Sequence, residues 1–80
     1  MHEFKLVSDS LKEVLKKADE AKAKTVNIVR FEVGEHCHAK PENIEFLFKQ
    51  AARGSIAENA SVEIAVKPGD ALTLVSIQVD

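Results

Sequence analysis

The apolar period of this sequence changes repeatedly within 80 residues. It begins with helical spacing: Phe4, Val7, Leu11, Val14, Leu15, Ala18 and Ala21 recur at three and four, with Lys12, Glu13, Lys16, Lys17, Asp19 and Glu20 between them. Ser10 with Glu13 offers a later start as a capping box, but the register already fits Phe4 and Val7, so an early start is preferred. Thr25 to Glu35 then reads as a strand, with Val29, Phe31 and Val33 alternating with Arg30 and Glu32. Val26 and Ile28 lie on the other parity, which calls for a bulge or a partly covered second face. Helical spacing returns at Ile44, Leu47, Phe48 and Ala51, with Pro41 and Glu42 suited to a first turn and Gly54 to a stop. Val62, Ile64 and Val66 make a second strand, Pro68-Gly69-Asp70 a turn, and Leu72 to Val79 a third strand whose parity changes between Leu74 and Ile77.

Two amphipathic helices and three half-buried strands, in the order α-β-α-β-β, predict a two-layer α+β sandwich with both helices on one face. The short turn predicts that the last two strands pair as an antiparallel hairpin. The expected core is Phe4, Leu11, Leu15, Val29, Phe31, Leu47, Phe48, Ile64 and Ile77. No linker divides the chain, so residues 1–80 read as a single domain. So small a core without disulfides gains from a partner or a homodimer.

Charge narrows the function. Eleven Lys and Arg against 13 Asp and Glu, with no basic cluster, argue against nucleic acid and anionic membranes. No apolar run reaches the ~18 residues of a membrane span, and no signal-peptide pattern is present. A single Cys excludes an internal disulfide framework and a reducing, cytoplasmic location is expected. Nucleophile motifs, Gly-rich phosphate loops and H-E-x-x-H are missing from the sequence, which leaves its histidines and single cysteine as the informative residues.

Ligand chemistry gathers in two short places. At Met1-His2-Glu3, the α-amine of Met1, the amide of His2 and its imidazole can close adjoining chelate rings, and Glu3 adds an amide or carboxylate. Planar nitrogen sets of this kind favour Ni(II) or Cu(II). The bland alternative is a solvated histidine at a frayed end, and on these residues alone it is the commoner outcome. His36-Cys37-His38 is the second place. Extended backbone would send both histidines to one side and Cys37 to the other. These ligand types serve nickel, zinc and copper alike, against the alternative of a polar loop with a chance Cys. Phe46 lies beside the second helical stripe and reads as a core edge or a contact site.

Four segments in order resemble the nickel-binding domain of the HypA family of hydrogenase nickel-incorporation proteins. They are Met1-His2-Glu3, Phe31 to Glu35, Gly54 to Ala60, and Leu74 to Val79. The resemblance implies a non-enzymatic metallochaperone that delivers Ni(II) to [NiFe] hydrogenase maturation and, in some bacteria, to urease. It implies a maturation GTPase and the hydrogenase large subunit as partners, and nickel held by His2 and backbone nitrogen at the first residues, with Glu3 important. Members of that family usually carry a zinc domain with two C-x-x-C pairs between the last two strands. Here Pro68-Gly69-Asp70 stands in its place, so no structural zinc is expected. Where some members place an acidic residue before the second helix, this chain has Lys40, and His36, Cys37 and His38 lie just ahead of it. The alternatives are a docking adaptor that no longer carries metal, and a Zn(II) or Cu(I) carrier using the His-Cys-His run.

The two ligand places should also meet. A helix over residues 4–22 measures about 28 Å at ~1.5 Å per residue. A strand over residues 25–34 measures about 33 Å at ~3.3 Å per residue. Joined by a short connection they run antiparallel, which brings Met1-His2-Glu3 beside residues 35–40. His36 or His38, in preference to oxidation-prone Cys37, then becomes an added nickel ligand.

Overall fold

A computed structural model describes residues 2–80, with side chains from Glu3 onward. Met1 and the His2 imidazole, two of the expected ligands, lie outside the described residues. The elements are α1 (His2–Glu20), β1 (Val26–Gly34), α2 (Pro41–Ala51), β2 (Ser61–Lys67) and β3 (Leu72–Val79).

The early start of α1 is correct. Ser10 does not cap the helix: its hydroxyl donates to the Leu6 carbonyl one turn back, at 3.0 Å. Val7, Leu11, Val14 and Ala18 form the buried stripe. The helix closes with Lys22 in the left-handed region at φ 55°. The Lys22 and Ala23 amides donate to the Asp19 and Ala18 carbonyls at 3.0 Å each, the Schellman pattern. Phe4 is not core. It sits on the flank of the stripe at the first turn and stays 48% exposed.

The sheet order is β2-β1-β3. β1 is central, parallel to β2 and antiparallel to β3. The expected β2–β3 hairpin is therefore wrong. β1-α2-β2 is a parallel pair with its helical crossover, and β3 pairs on the far side of β1. Flanking strands of a three-stranded sheet lie about 10 Å apart, two inter-strand spacings of ~4.8 Å. Residues 68–71 can span that, at about 3.3 Å per residue, by passing over the end of β1.

That passage is bonded to what it crosses. The Gly34 amide donates to the Ala71 carbonyl at 2.8 Å, Glu35 to Lys67 at 2.8 Å, and His36 to Gly69 at 2.9 Å. A Cβ on residue 34 would collide with the backbone of Gly69 and Asp70, so the crossing requires glycine there.

Both suspected irregularities in the strands are present. The β1–β3 register slips at Val26/Ile28 and again at Arg30/Phe31, where Val75 is the extra residue on β3. Asn27, released from pairing by the first slip, donates its side-chain amide to the Asp80 carboxylate at 3.0 Å, and the Thr25 hydroxyl donates to it at 2.7 Å. These two donors hold the Asp80 carboxyl below the ordinary carboxylate value. The clamp thus contributes above the ordinary carboxylate range and is lost as pH falls through the lowered value.

Val29, Phe31 and Val33 share the buried face of β1 with Ile44 and Phe48 of α2 and the α1 stripe. Phe31 and Phe48 meet edge to face, with centroids 5.8 Å apart and planes at 71°. α1 packs on α2 and β3. Leu15, Leu47, Ile64 and Ile77 of the expected core are only partly buried. The other sheet face is polar, with Arg30 Nε 3.0 Å from Glu63 Oε1 between residues paired in the β1–β2 register.

Gly34→Ala should destabilise the protein by about 1–3 kcal/mol or more, the cost of overpacking against backbone that has nowhere to go. Urea unfolding monitored by far-UV circular dichroism checks this. A midpoint equal to that of the parent would mean that the crossing can shift freely.

Candidate functional site

The site forms where β1 stops. Gly34 ends the strand, and the chain reverses at once: the Cys37 amide donates to the Gly34 carbonyl at 2.9 Å. Residues 35–38 are thus a turn and not extended strand. Alternation nevertheless survives as burial. Cys37 and Ala39 are buried, at 6% and 2% exposed, while His36 and His38 face outward. Lys40 is extended (φ −90°, ψ 151°), as the residue before Pro41 must be, and α2 begins.

One cleft of about 350 Å³ lies between this turn and the start of α1. Glu3, Lys5, Leu6 and Asp9 line it from α1, Cys37, His38 and Ala39 from the turn, and Asp70 from the crossing connection. The expected meeting of the two ligand places is therefore found for Glu3 with Cys37 and His38. His36 does not line the cleft. Its Nε2 lies 3.5 Å from Glu35 Oε1, an ion pair when the ring is protonated.

Two carboxylates here escaped the sequence reading. Asp70 reads as turn chemistry, and only the crossing reveals that its connection passes beside β1's end. Asp9 is one polar residue of α1 among several, and nothing in the sequence sets it apart. Its Oδ2 lies 2.9 Å from Lys5 Nζ one turn away. The hydrogen bond from Lys5 holds its carboxyl below the ordinary value, with the Lys5 and Lys12 charges adding to the effect. Carboxylates, the Lys5 ammonium, an imidazole and a thiol thus line one cleft. Among the described residues, no three His, Cys, Asp or Glu side chains stand close enough to hold a metal ion together. A cation bound here needs donors beyond those side chains.

Comparison with known proteins bears on what such a cleft serves. The family profile described as hydrogenase/urease nickel incorporation, metallochaperone, hypA matches residues 1–73. The fold and the matched segment define a small α+β domain of the kind that this profile describes. The chain belongs to the HypA family. It is 43% identical over 70 residues to a hydrogenase maturation factor HypA of Archaeoglobus fulgidus, covering 88% of this chain and 64% of that protein. To that of Methanosarcina acetivorans it is 37% identical over 68 residues, covering 85% and 51%. The chain thus spans about half to two thirds of these curated relatives. The solution structure of the Ni metallochaperone HypA from Helicobacter pylori superposes with a TM-score of 0.85 over 96% of each chain. At 13% identity that likeness establishes the shared fold.

Cys37 should react slowly with a thiol reagent in the native protein and at the rate of a free thiol in denaturant. Labelling followed with and without guanidinium checks the burial. Rapid native labelling would mean that the turn opens readily.

Proposed function

We propose that the chain is a nickel-carrying domain that takes Ni(II) as cargo at the start of α1 and yields it by ligand exchange. The observation that carries this is the cleft itself, which is lined both by Glu3, the residue that follows Met1-His2 in the sequence, and by His38. The family's description as nickel incorporation supports it. The α-amine of Met1 and the amide and imidazole of His2 supply nitrogen donors suited to Ni(II). Glu3 stands beside them, and His38 is the added ligand from the turn. Cys37, buried at 6% exposure, is a poor point of entry for Zn(II) or Cu(I), which favours nickel over the soft-metal alternative.

In this reading residues 1–80 act as one unit in the cytoplasm, without catalysis. The recipient is a maturation GTPase or the hydrogenase large subunit, and urease where that enzyme is the client. Handover needs a site the recipient can approach, and a cleft at the domain's edge provides one. The single Cys of residues 1–80 cannot supply two C-x-x-C pairs, so this reading uses no structural zinc within them.

Calorimetry with Ni(II) on protein with a free Met1 amine tests the proposal. His2→Ala should abolish tight binding while leaving the fold intact, since residue 2 lies outside the apolar stripe of the first helix in the sequence. A tag ahead of Met1 should weaken binding by converting the amine to an amide. His38→Ala should have a smaller effect, and His36→Ala none. Equal Ni(II) affinity in the parent, His2→Ala and tagged proteins would overturn the site.

The same site fixes the pH dependence. Imidazole ligates only when neutral, with a reference pKa of ~6.5, and the amine titrates near ~7.7–8.0. Binding should release protons and weaken as pH falls through that range. Affinity that stays flat down to mildly acidic pH would point to carboxylate ligands instead.

A further inference from the structure

The two edges of the sheet differ. β3 carries the Val75 bulge, which breaks a regular row of backbone donors and acceptors. β2 pairs with β1 without a slip from Ser61 to Lys67. No Pro or bulge lies within it, and its one Lys is at the end. Among the described residues, no backbone bond reaches its outer side.

The direction of its free groups follows from one bond. The Lys67 carbonyl accepts from Glu35, and so faces β1. Alternation turns Glu63 and Ala65 the same way, and leaves the N–H and C=O groups of Val62, Ile64 and Val66 facing outward. Val66, on the helix-covered face, is still 56% exposed.

Glu63-Ile64-Ala65-Val66-Lys67 is complementary to itself when reversed. Antiparallel pairing about Ala65 sets Glu63 opposite Lys67 of a second copy, and Ile64 opposite Val66. It repeats both pairs by the two-fold symmetry. Ile64 and Val66 are the residues with free outward groups, so their two pairs close four hydrogen bonds. Ala65 meets its own copy as a non-hydrogen-bonded pair, the closer kind, where a small side chain suits. Glu63, already held by Arg30 on one side, gains a cation on the other. The register that pairs Glu63 with itself places like charges opposite each other and is disfavoured.

We infer that the outer edge of β2 is the docking surface for a second copy of this chain, joining two three-stranded sheets into one of six. An edge contact of five residues a side buries little area, so the dimer is reversible and not obligate. The inference is independent of nickel binding.

Ala65→Cys in a Cys37→Ala background tests it, with Val75→Cys on the bulged β3 edge as the control for random collision. Under mild oxidation Ala65→Cys should form a disulfide-linked dimer at least tenfold faster than the control. Adding Lys67→Glu, which sets two carboxylates opposite each other where the parent pairs Lys67 with Glu63, should slow that cross-linking severalfold at low salt. Sedimentation of the parent protein should show a dimer fraction that rises with concentration. Equal cross-linking at positions 65 and 75, or a parent that remains monomeric at the highest soluble concentration, would overturn the inference.

Discussion

The fold and the site both depend on the chain crossing the end of β1. Three backbone hydrogen bonds tie the residue 67–71 connection to Gly34, Glu35 and His36. Glycine at position 34 lets the two backbones touch. This contact fixes β1 as the central strand and closes the sheet at the end where the ligand-bearing turn leaves it. It also brings Asp70 to the cleft. Were β2 and β3 a hairpin, β1 would lie at an edge and the turn after it would have no roof.

The cleft follows from this frame by geometry. A helix and a strand of similar length, joined by a short connection, return the chain to its starting end. α1 therefore begins where β1 stops, and Glu3 lies by His38. The tight turn that buries Cys37 also divides the histidines, directing His38 to the cleft and leaving His36 with Glu35. Ligand exchange as proposed is served by such a layout, because Glu3 and His38 sit in the first turn of a helix and in a turn, and neither belongs to the core. The largest fully buried side chains, among them Val7, Val14, Val29, Phe31, Ile44 and Phe48, are aliphatic or aromatic, and Cys37 is the one candidate donor buried with them.

Most of this architecture was legible in the period of the apolar residues. The early start of α1 was visible because Phe4 and Val7 keep the helical register, although Phe4 itself lies too far along the flank to be covered. Strand bulges showed as parity changes, at Val26/Ile28 and between Leu74 and Ile77. Strand order was not legible. A short Pro-Gly-Asp link is the ordinary mark of a hairpin, and the signals against it were a βαβ pattern in β1-α2-β2 and a glycine at position 34. Both are meaningful only once the crossing is considered. At the site, the meeting of Glu3 with the turn could be derived from element lengths. The separate fates of His36 and His38 could not, because they depend on a reverse turn closed by one Cys37–Gly34 hydrogen bond. Asp70 was hidden for the same reason as the strand order.

In the proposed function, nickel held at the first residues is met by the turn after β1 through one histidine. Proton NMR of the side chains of His36 and His38 during titration with paramagnetic Ni(II), using protein with a free Met1 amine, tests it most directly. The His38 ring signals should shift and broaden at the first equivalent, well before those of His36. Broadening of His36 ahead of His38, or silence of both rings at full loading, would contradict it.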